Sequence, residues 1–379
     1  MATDHSASRT LPPMAASCHA AGVAGRIPVV VDRRCCDHDP GAEIWIGVTT
    51  APAEVADRVT IIEAALSELG HPMMSAREFD DAWLTAVHSP ELLDYLATVW
   101  DRWVGSGYPD LGAGRVVPYL FPSAELRQGL PPRIPAALHA EVGVYCYDTM
   151  TLIGPGSWRA IRAATCATRT AVDLVVSGAP SAYALTRPPG HHATRSAYGG
   201  SCYLNNAAIA AQALRAADFA NVAVIDIDAH HGNGTQAIFY ERPDVFTTSV
   251  HIDPGAGWFP HHVGFADETG RDGGLGMNLN LPLEPGSGDA VWLSAIQRAA
   301  DAAADFGATA LVIALGVDAA IDDPESPLQV TLQGYHQAGD ILGALGLPAV
   351  VVQEGGYHLP TLGHLVGATL DGLGTHCAS

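Results

Sequence analysis

Asp226, Asp228, His230 and His231 fall within six residues, just where the apolar run 222–225 ends. A carboxylate and an imidazole two residues apart can grip a divalent ion. A lone Asp-x-His is usually a polar strand end, but four such groups together need a purpose when an apolar strand delivers them to the interior. The period of two along a strand predicts Asp226, Asp228 and His230 on one side. Gly232 and Gly234 bracket Asn233 and predict a sharp turn there. A further carboxylate, Asp318, ends another apolar run. Asp228, His230 and Asp318 would give an N/O ligand set without cysteine, which leaves an open position on zinc, as catalytic sites require. Such an ion polarises an amide carbonyl and acidifies its bound water. His191-His192 follows the stiff Pro188-Pro189-Gly190 turn and suits general base and general acid work. Asp226 and Asn233 are candidates to orient the two imidazoles. Tyr357, after Gly355-Gly356, can offer its phenol to a developing oxyanion.

These side chains need strands to deliver them. Apolar runs predict strands at 27–31, 182–186, 222–225, 244–251, 277–283, 310–315 and 349–352. Helical spacing predicts helices at 54–69, 157–176 (capped by Ser157), 205–217, 289–306 and 332–345, with one or two more in 80–100. Strands alternating with helices predict an α/β fold: an open, mainly parallel sheet with helices on both faces. The motifs after residues 186, 225, 315 and 352 all lie past strand C-termini, where such sheets build ligand sites. Residues 1–27 read as a mobile tail and 28–379 as one catalytic domain. Residues 33–52 read as irregular, and the long loop 105–135 as a functional or interface element.

The bulk composition narrows the partners. Of 379 residues, 48% are hydrophobic, ample for a large core, and 19 basic against 40 acidic residues give a net charge of −21. That surface disfavours nucleic acid and anionic membrane. Seven cysteines without a CxxC pair predict reduced thiols. No signal peptide or membrane-length apolar run is evident, so a cytoplasmic location is expected.

Four motifs, Arg187-Pro-Pro-Gly-His191-His192-Ala, Asp226-Ile-Asp228-Ala-His230-His231-Gly-Asn233-Gly-Thr, Gly316-Val317-Asp318 and Glu354-Gly355-Gly356-Tyr357, resemble the zinc-dependent histone deacetylase superfamily. Trp100-Asp101-Arg102-Trp103, Pro132-Arg133-Ile134-Pro135, Phe239-Tyr240-Glu241-Arg242 and Phe259-Pro260-His261 are most similar to its bacterial acetylpolyamine amidohydrolase branch. The resemblance covers roughly residues 28–370. It implies an arginase-deacetylase fold, zinc on Asp228, His230 and Asp318, acid-base work by His191 and His192, and carbonyl polarisation by Tyr357. It also implies structural potassium. One ion would use carbonyls of Asp226, Asp228, His230 and Val250 with the side chains of Asp226 and Ser249. A second would use carbonyls of Phe239, Arg242 and Val245. In that branch the long loop containing 105–135 helps form a homodimer and narrows the channel.

Departures from the pattern bear on substrate choice. Phe259 matches one aromatic wall of the family's tunnel. The other wall position, after Gly200, is Ser201, which predicts a wider or less apolar channel there. Acids expected after Pro135 are replaced by Ala136-Ala137-Leu138-His139, while Glu43 matches a channel-mouth acid and Glu141 lies nearby in sequence. The expected activity is hydrolysis of an acetyl or small acyl amide on a primary amine, with acetylpolyamine or acetyl-lysine-like substrates. The alternatives are a bulkier small-molecule amide and a non-catalytic metal-binding relative. A binuclear manganese ureohydrolase would need more bridging carboxylates than the Asn233 region supplies.

Overall fold

The computed structural model describes residues 25–110 and 113–376. Its elements in chain order begin with β1 (Val29–Val31), β2 (Glu43–Trp45), β3 (Val48–Thr50), α1 (Asp57–Glu68) and β4 (Met73–Ser75). Next come α2 (Pro90–Gly105), α3 (Ala124–Arg127), α4 (Leu138–Tyr145), α5 (Ser157–Val176), β5 (Ser181–Leu185) and α6 (Asn206–Ala216). Then follow β6 (Val222–Asp226), α7 (Asn233–Phe239), β7 (Val245–Ile252), β8 (Asn278–Leu283) and α8 (Asp289–Asp305). β9 (Ala310–Leu315), α9 (Leu332–Gly343), β10 (Ala349–Gln353) and α10 (Leu359–Gly374) complete the chain.

Eight strands form one sheet in the order β4-β1-β5-β10-β9-β6-β7-β8, and every neighbouring pair is parallel. Alternate residues feed two cores. Tyr183, Ile225, Ile313 and Val351 join one buried cluster, while Ala184, Val224, Val312 and Val352 join the other. Helices cover both clusters, so the central strands are apolar on both faces, as parallel strands must be. Fully burying each large aliphatic side chain contributes about 1.5–3 kcal/mol. The predicted architecture therefore holds.

Several local expectations change. The stretch read as irregular contains the antiparallel hairpin β2–β3, closed by Ile46 and Gly47 at positive φ. Residues 73–75, where the sequence predicts no strand, form the edge strand β4 beside β1. Of the expected tail, residues 1–24 lie outside the described residues, but Ile27 is buried and its N–H donates to His71 Nδ1. Ser157 does not cap α5. Gly156 holds the N-cap position, and Ser157 Oγ instead accepts from Gly154 N–H and bonds to His38 Nδ1. The long loop carries α3 and presses onto α4, where a Cβ on Gly143 would sit 1.7 Å from Leu120 O. No helix among the described residues is long and apolar enough to cross a membrane.

Candidate active site

β5, β10, β9 and β6 are consecutive in the sheet. Their C-terminal ends carry the His191-His192 loop, the Gly355-Gly356-Tyr357 loop, Asp318 and the 226–234 segment. Four motifs far apart in sequence thus meet at one sheet edge.

Strand β6 ends at Asp226, so strand periodicity does not set the later residues. The loop does that through hydrogen bonds. Asp226 Oδ1 accepts Asp228 N–H at 3.1 Å, and Asp228 Oδ1 accepts His230 N–H at 2.9 Å. Asp318 Oδ1 accepts Ala229 N–H at 2.8 Å. His230 Nδ1 ends 3.0 Å from Asp318 Oδ2 and 3.5 Å from Asp228 Oδ1. Asp226 turns the other way, with its Oδ2 2.9 Å from His191 Nδ1. The glycines matter for space. A Cβ on Gly232 would lie 2.2 Å from Asp226 Oδ2, one on Gly316 2.0 Å from Asp228 Oδ2, and one on Gly355 2.6 Å from both Asp228 and Asp318 oxygens.

Ligand atoms of Asp228, His230 and Asp318 all lie within 4.8 Å of one another. Burial opposes a charge on His230, yet hydrogen bonds and attraction from Asp228 and Asp318 raise its pKa well above the ordinary value. Burial, then repulsion from Asp228, pushes Asp318 up to about 7. Two buried carboxylates and an imidazole held this close offer an N/O donor set that suits a divalent ion.

The paired imidazoles lie with centroids 4.0 Å apart and their planes tilted by 40°. His192 Nδ1 lies 2.7 Å from Asn233 Oδ1, as expected of Asn233. Burial, then the charges of His191 and His230, holds His192 well below the usual histidine range. His191 is also desolvated, but Asp228 and Asp226 hold it up to about 10. The two rings are therefore pushed in opposite directions, His191 toward its protonated form and His192 toward its neutral form. Tyr357 N–H donates to Asp323 Oδ2 at 2.6 Å, and burial keeps its phenol protonated.

A pocket of about 90 Å³ opens onto these groups. His192, His230 and Tyr357 line it together with Glu43, Gly200, Ser201 and Phe259, all named from sequence. Ser201 holds φ of +59° and takes the wall position expected of it. Glu325, Met150 and Ala53 also line the pocket. Glu325 escaped sequence reading because it sits on the loop after β9, seven residues beyond Asp318, in a stretch with no motif. Glu141 does not line the pocket; it is paired with Arg102.

A buried ion cluster beneath the site was equally illegible. Arg187 Nε donates to Glu54 Oε1 at 2.7 Å, and Arg58 donates to Glu54 Oε1 at 3.0 Å. Arg58 also donates to the Gly356 and Glu354 carbonyls and stands 5.0 Å from the Tyr357 ring centroid. Glu54→Gln strips both guanidiniums of their counter-charge. Urea unfolding should show a loss of about 3–5 kcal/mol, as for broken buried pairs; a loss below about 1 kcal/mol would contradict the pairing.

The parallel sheet and the strand-end site define a class. Residues 52–373 match the histone deacetylase domain, and the chain belongs to the histone deacetylase family. The chain is 39% identical over 340 residues to the acetylpolyamine amidohydrolase of Mycoplana ramosa, covering 87% of this chain and 95% of that one. It is 41% identical over 325 residues to the acetylpolyamine amidohydrolase of Burkholderia pseudomallei (strain 1710b), covering 86% and 92%. A crystal structure of acetylpolyamine aminohydrolase from Burkholderia pseudomallei matches with a TM-score of 0.86 at 38% identity, over 92% of this chain and 99% of that one. Within the family, this protein is an amidohydrolase of the deacetylase type.

Proposed function

We propose that this amidohydrolase uses zinc to remove acetyl, or a similar small acyl group, from acetylated polyamines or acetyl-lysine-like amines. The observation that carries this reading is the buried Asp228, His230 and Asp318 group at the inner end of a pocket shared with His192 and Tyr357. The relatives' activity on acetylpolyamines supports the substrate class. Asp228, His230 and Asp318 would hold the zinc, which would supply Lewis-acid polarisation of the amide carbonyl.

The chain's own groups then divide the proton work. Asn233 Oδ1 is an acceptor, so His192 Nδ1 carries the hydrogen and Nε2 is free to take a proton from water. Water adds to the amide carbon. The oxygen that gains charge accepts a hydrogen bond from the Tyr357 phenol. The C–N bond breaks as His191, oriented by Asp226 and favoured in its protonated form by the carboxylates beside it, gives a proton to the leaving nitrogen. Acetic acid and the amine result, the acid's proton passes to the amine to give acetate and an ammonium ion, and the proton held by His192 restores that lost by His191.

Among the described residues no Lys or Arg lines the pocket, whereas Glu43 and Glu325 do. We assign these two acids to the distal ammonium of the substrate, with Gly200, Ser201 and Phe259 flanking the alkyl chain. Glu43→Gln with Glu325→Gln should raise KM for acetylputrescine roughly tenfold, the loss of about one charge-assisted hydrogen bond, and leave KM for a neutral N-acetylalkylamine unchanged. Burial pushes Glu43 up to about 7. Below that pH Glu43 is neutral, so KM for the cationic substrate should climb as pH falls through about 7. Equal changes for both substrates would remove the assignment.

Potassium binding between β6 and β7 fits Asp226 and Ser249, which are register partners. Homodimerisation through 105–135 is supported by the exposed Tyr119, Leu120, Phe121, Leu126, Leu130 and Ile134; light scattering tests it. The deciding assay offers acetylputrescine, acetylcadaverine and acetyl-lysine peptides to zinc-loaded protein. Failure to cleave any of them rejects the substrate class. Ser201 on the pocket wall favours one second reading, a bulkier amide, which a panel of bulky acyl amides ranked by kcat/KM would reveal.

A further inference from the structure

We propose that Glu354 is a positioning residue that locks the His191-His192 pair to the Tyr357 loop. The inference rests on the acid-base roles proposed above. Glu354 is fully buried at the end of β10. Its Oε2 accepts two consecutive backbone N–H groups, Gly190 at 2.6 Å and His191 at 3.1 Å. Successive amides of this kind form a concave anion site. Those amides belong to the loop after β5, whereas Glu354 belongs to the segment that runs directly into Gly355, Gly356 and Tyr357. One carboxylate therefore joins the two loops whose spacing decides whether base, acid and oxyanion donor meet the same amide.

The main chain at Glu354 is itself pinned. Its N–H donates to Leu315 O at 2.8 Å, and its carbonyl accepts from Arg58. The neighbouring Gly355 N–H donates to Asp228 Oδ2 at 2.8 Å. The side chain thus projects from a rigid base, and any change in its length moves the histidine loop rather than itself. The other oxygen, Oε1, is buried with no hydrogen-bond partner, although ligand atoms of His191 and Cys202 lie within 4.8 Å of a Glu354 carboxylate oxygen.

The test compares three variants in the zinc-loaded enzyme. Glu354→Gln keeps an acceptor at the same reach and should retain kcat within about fivefold. Glu354→Asp retracts the acceptor by one methylene, and Glu354→Ala removes it. Both should lower kcat at least tenfold with KM and zinc content unchanged, since displacement of reacting groups by about 1 Å costs up to 10²-fold. Equal kcat values for the Gln and Asp variants overturn the proposal, and so does a loss confined to KM or to zinc binding. If the Ala variant fails to fold, the Gln–Asp contrast still decides. A crystal structure of the Asp variant keeps the test independent of turnover. Residues 188–193 should be displaced while Asp228, His230 and Asp318 stay in place; an unmoved loop refutes the proposal even in a protein that hydrolyses no amide. Absence of wild-type turnover with a displaced loop refutes the amidohydrolase roles instead.

Discussion

Tyr357→Phe should cut kcat for the acetylated amine by about 10²- to 10³-fold, the usual cost of removing one oxyanion donor. Zinc content and melting temperature should stay at wild-type values. The phenolic hydroxyl is the only group lost, and the ring keeps its neighbours. Arg58 still stands over the ring, an attraction that Phe retains. The backbone is held by Asp323 and by Gly356, whose φ of +124° is open only to glycine. KM should change little, because the hydrogen bond strengthens as charge develops on the oxygen. Steady-state kinetics with metal analysis checks this. A loss below about fivefold would remove Tyr357 from the chemistry.

Asp318→Asn should abolish turnover altogether, with no zinc retained after dialysis. An amide is a poor ligand for zinc beside a histidine and one carboxylate. The same substitution should not weaken the metal-free fold. Asp318 and Asp228 are like charges in a buried space, and that repulsion, after burial itself, raises the Asp318 pKa. Asn keeps an acceptor for Ala229 N–H and leaves Asp228 paired with His230. Urea midpoints of metal-free variant and metal-free wild type should therefore be equal, or favour the variant. The zinc-loaded wild type should exceed both, because an ion that binds only the native state stabilises it. Retained zinc together with retained activity would contradict the ligand assignment.

The sequence exposed the four strand-end motifs well, because fully buried parallel strands leave uninterrupted apolar runs and their polar ends stand out. Asp228, His230 and Asp318 were legible from residue type and placement. Their convergence was not a matter of strand period, since β6 stops at Asp226 and backbone hydrogen bonds arrange the rest. Gly232 reads as a turn former in sequence, yet its role is to leave room for Asp226 Oδ2. β2–β3 was missed because three-residue strands joined at Ile46-Gly47 lack the usual Asn-Gly signal. Glu54, Arg58 and Glu325 were missed for a different reason. Each is an ordinary charged residue until folding brings it under or beside the pocket, and no local spacing announces that.

Reactive side chains here sit on the tips of four adjoining strands, whereas Glu43, Ser201 and Glu325 come from a small hairpin and two connecting loops. Changes in those connections leave the hydrogen-bonded strand tips untouched. Substitutions in the hairpin and the two loops should therefore change which amides enter the pocket without disturbing the groups held at the strand tips.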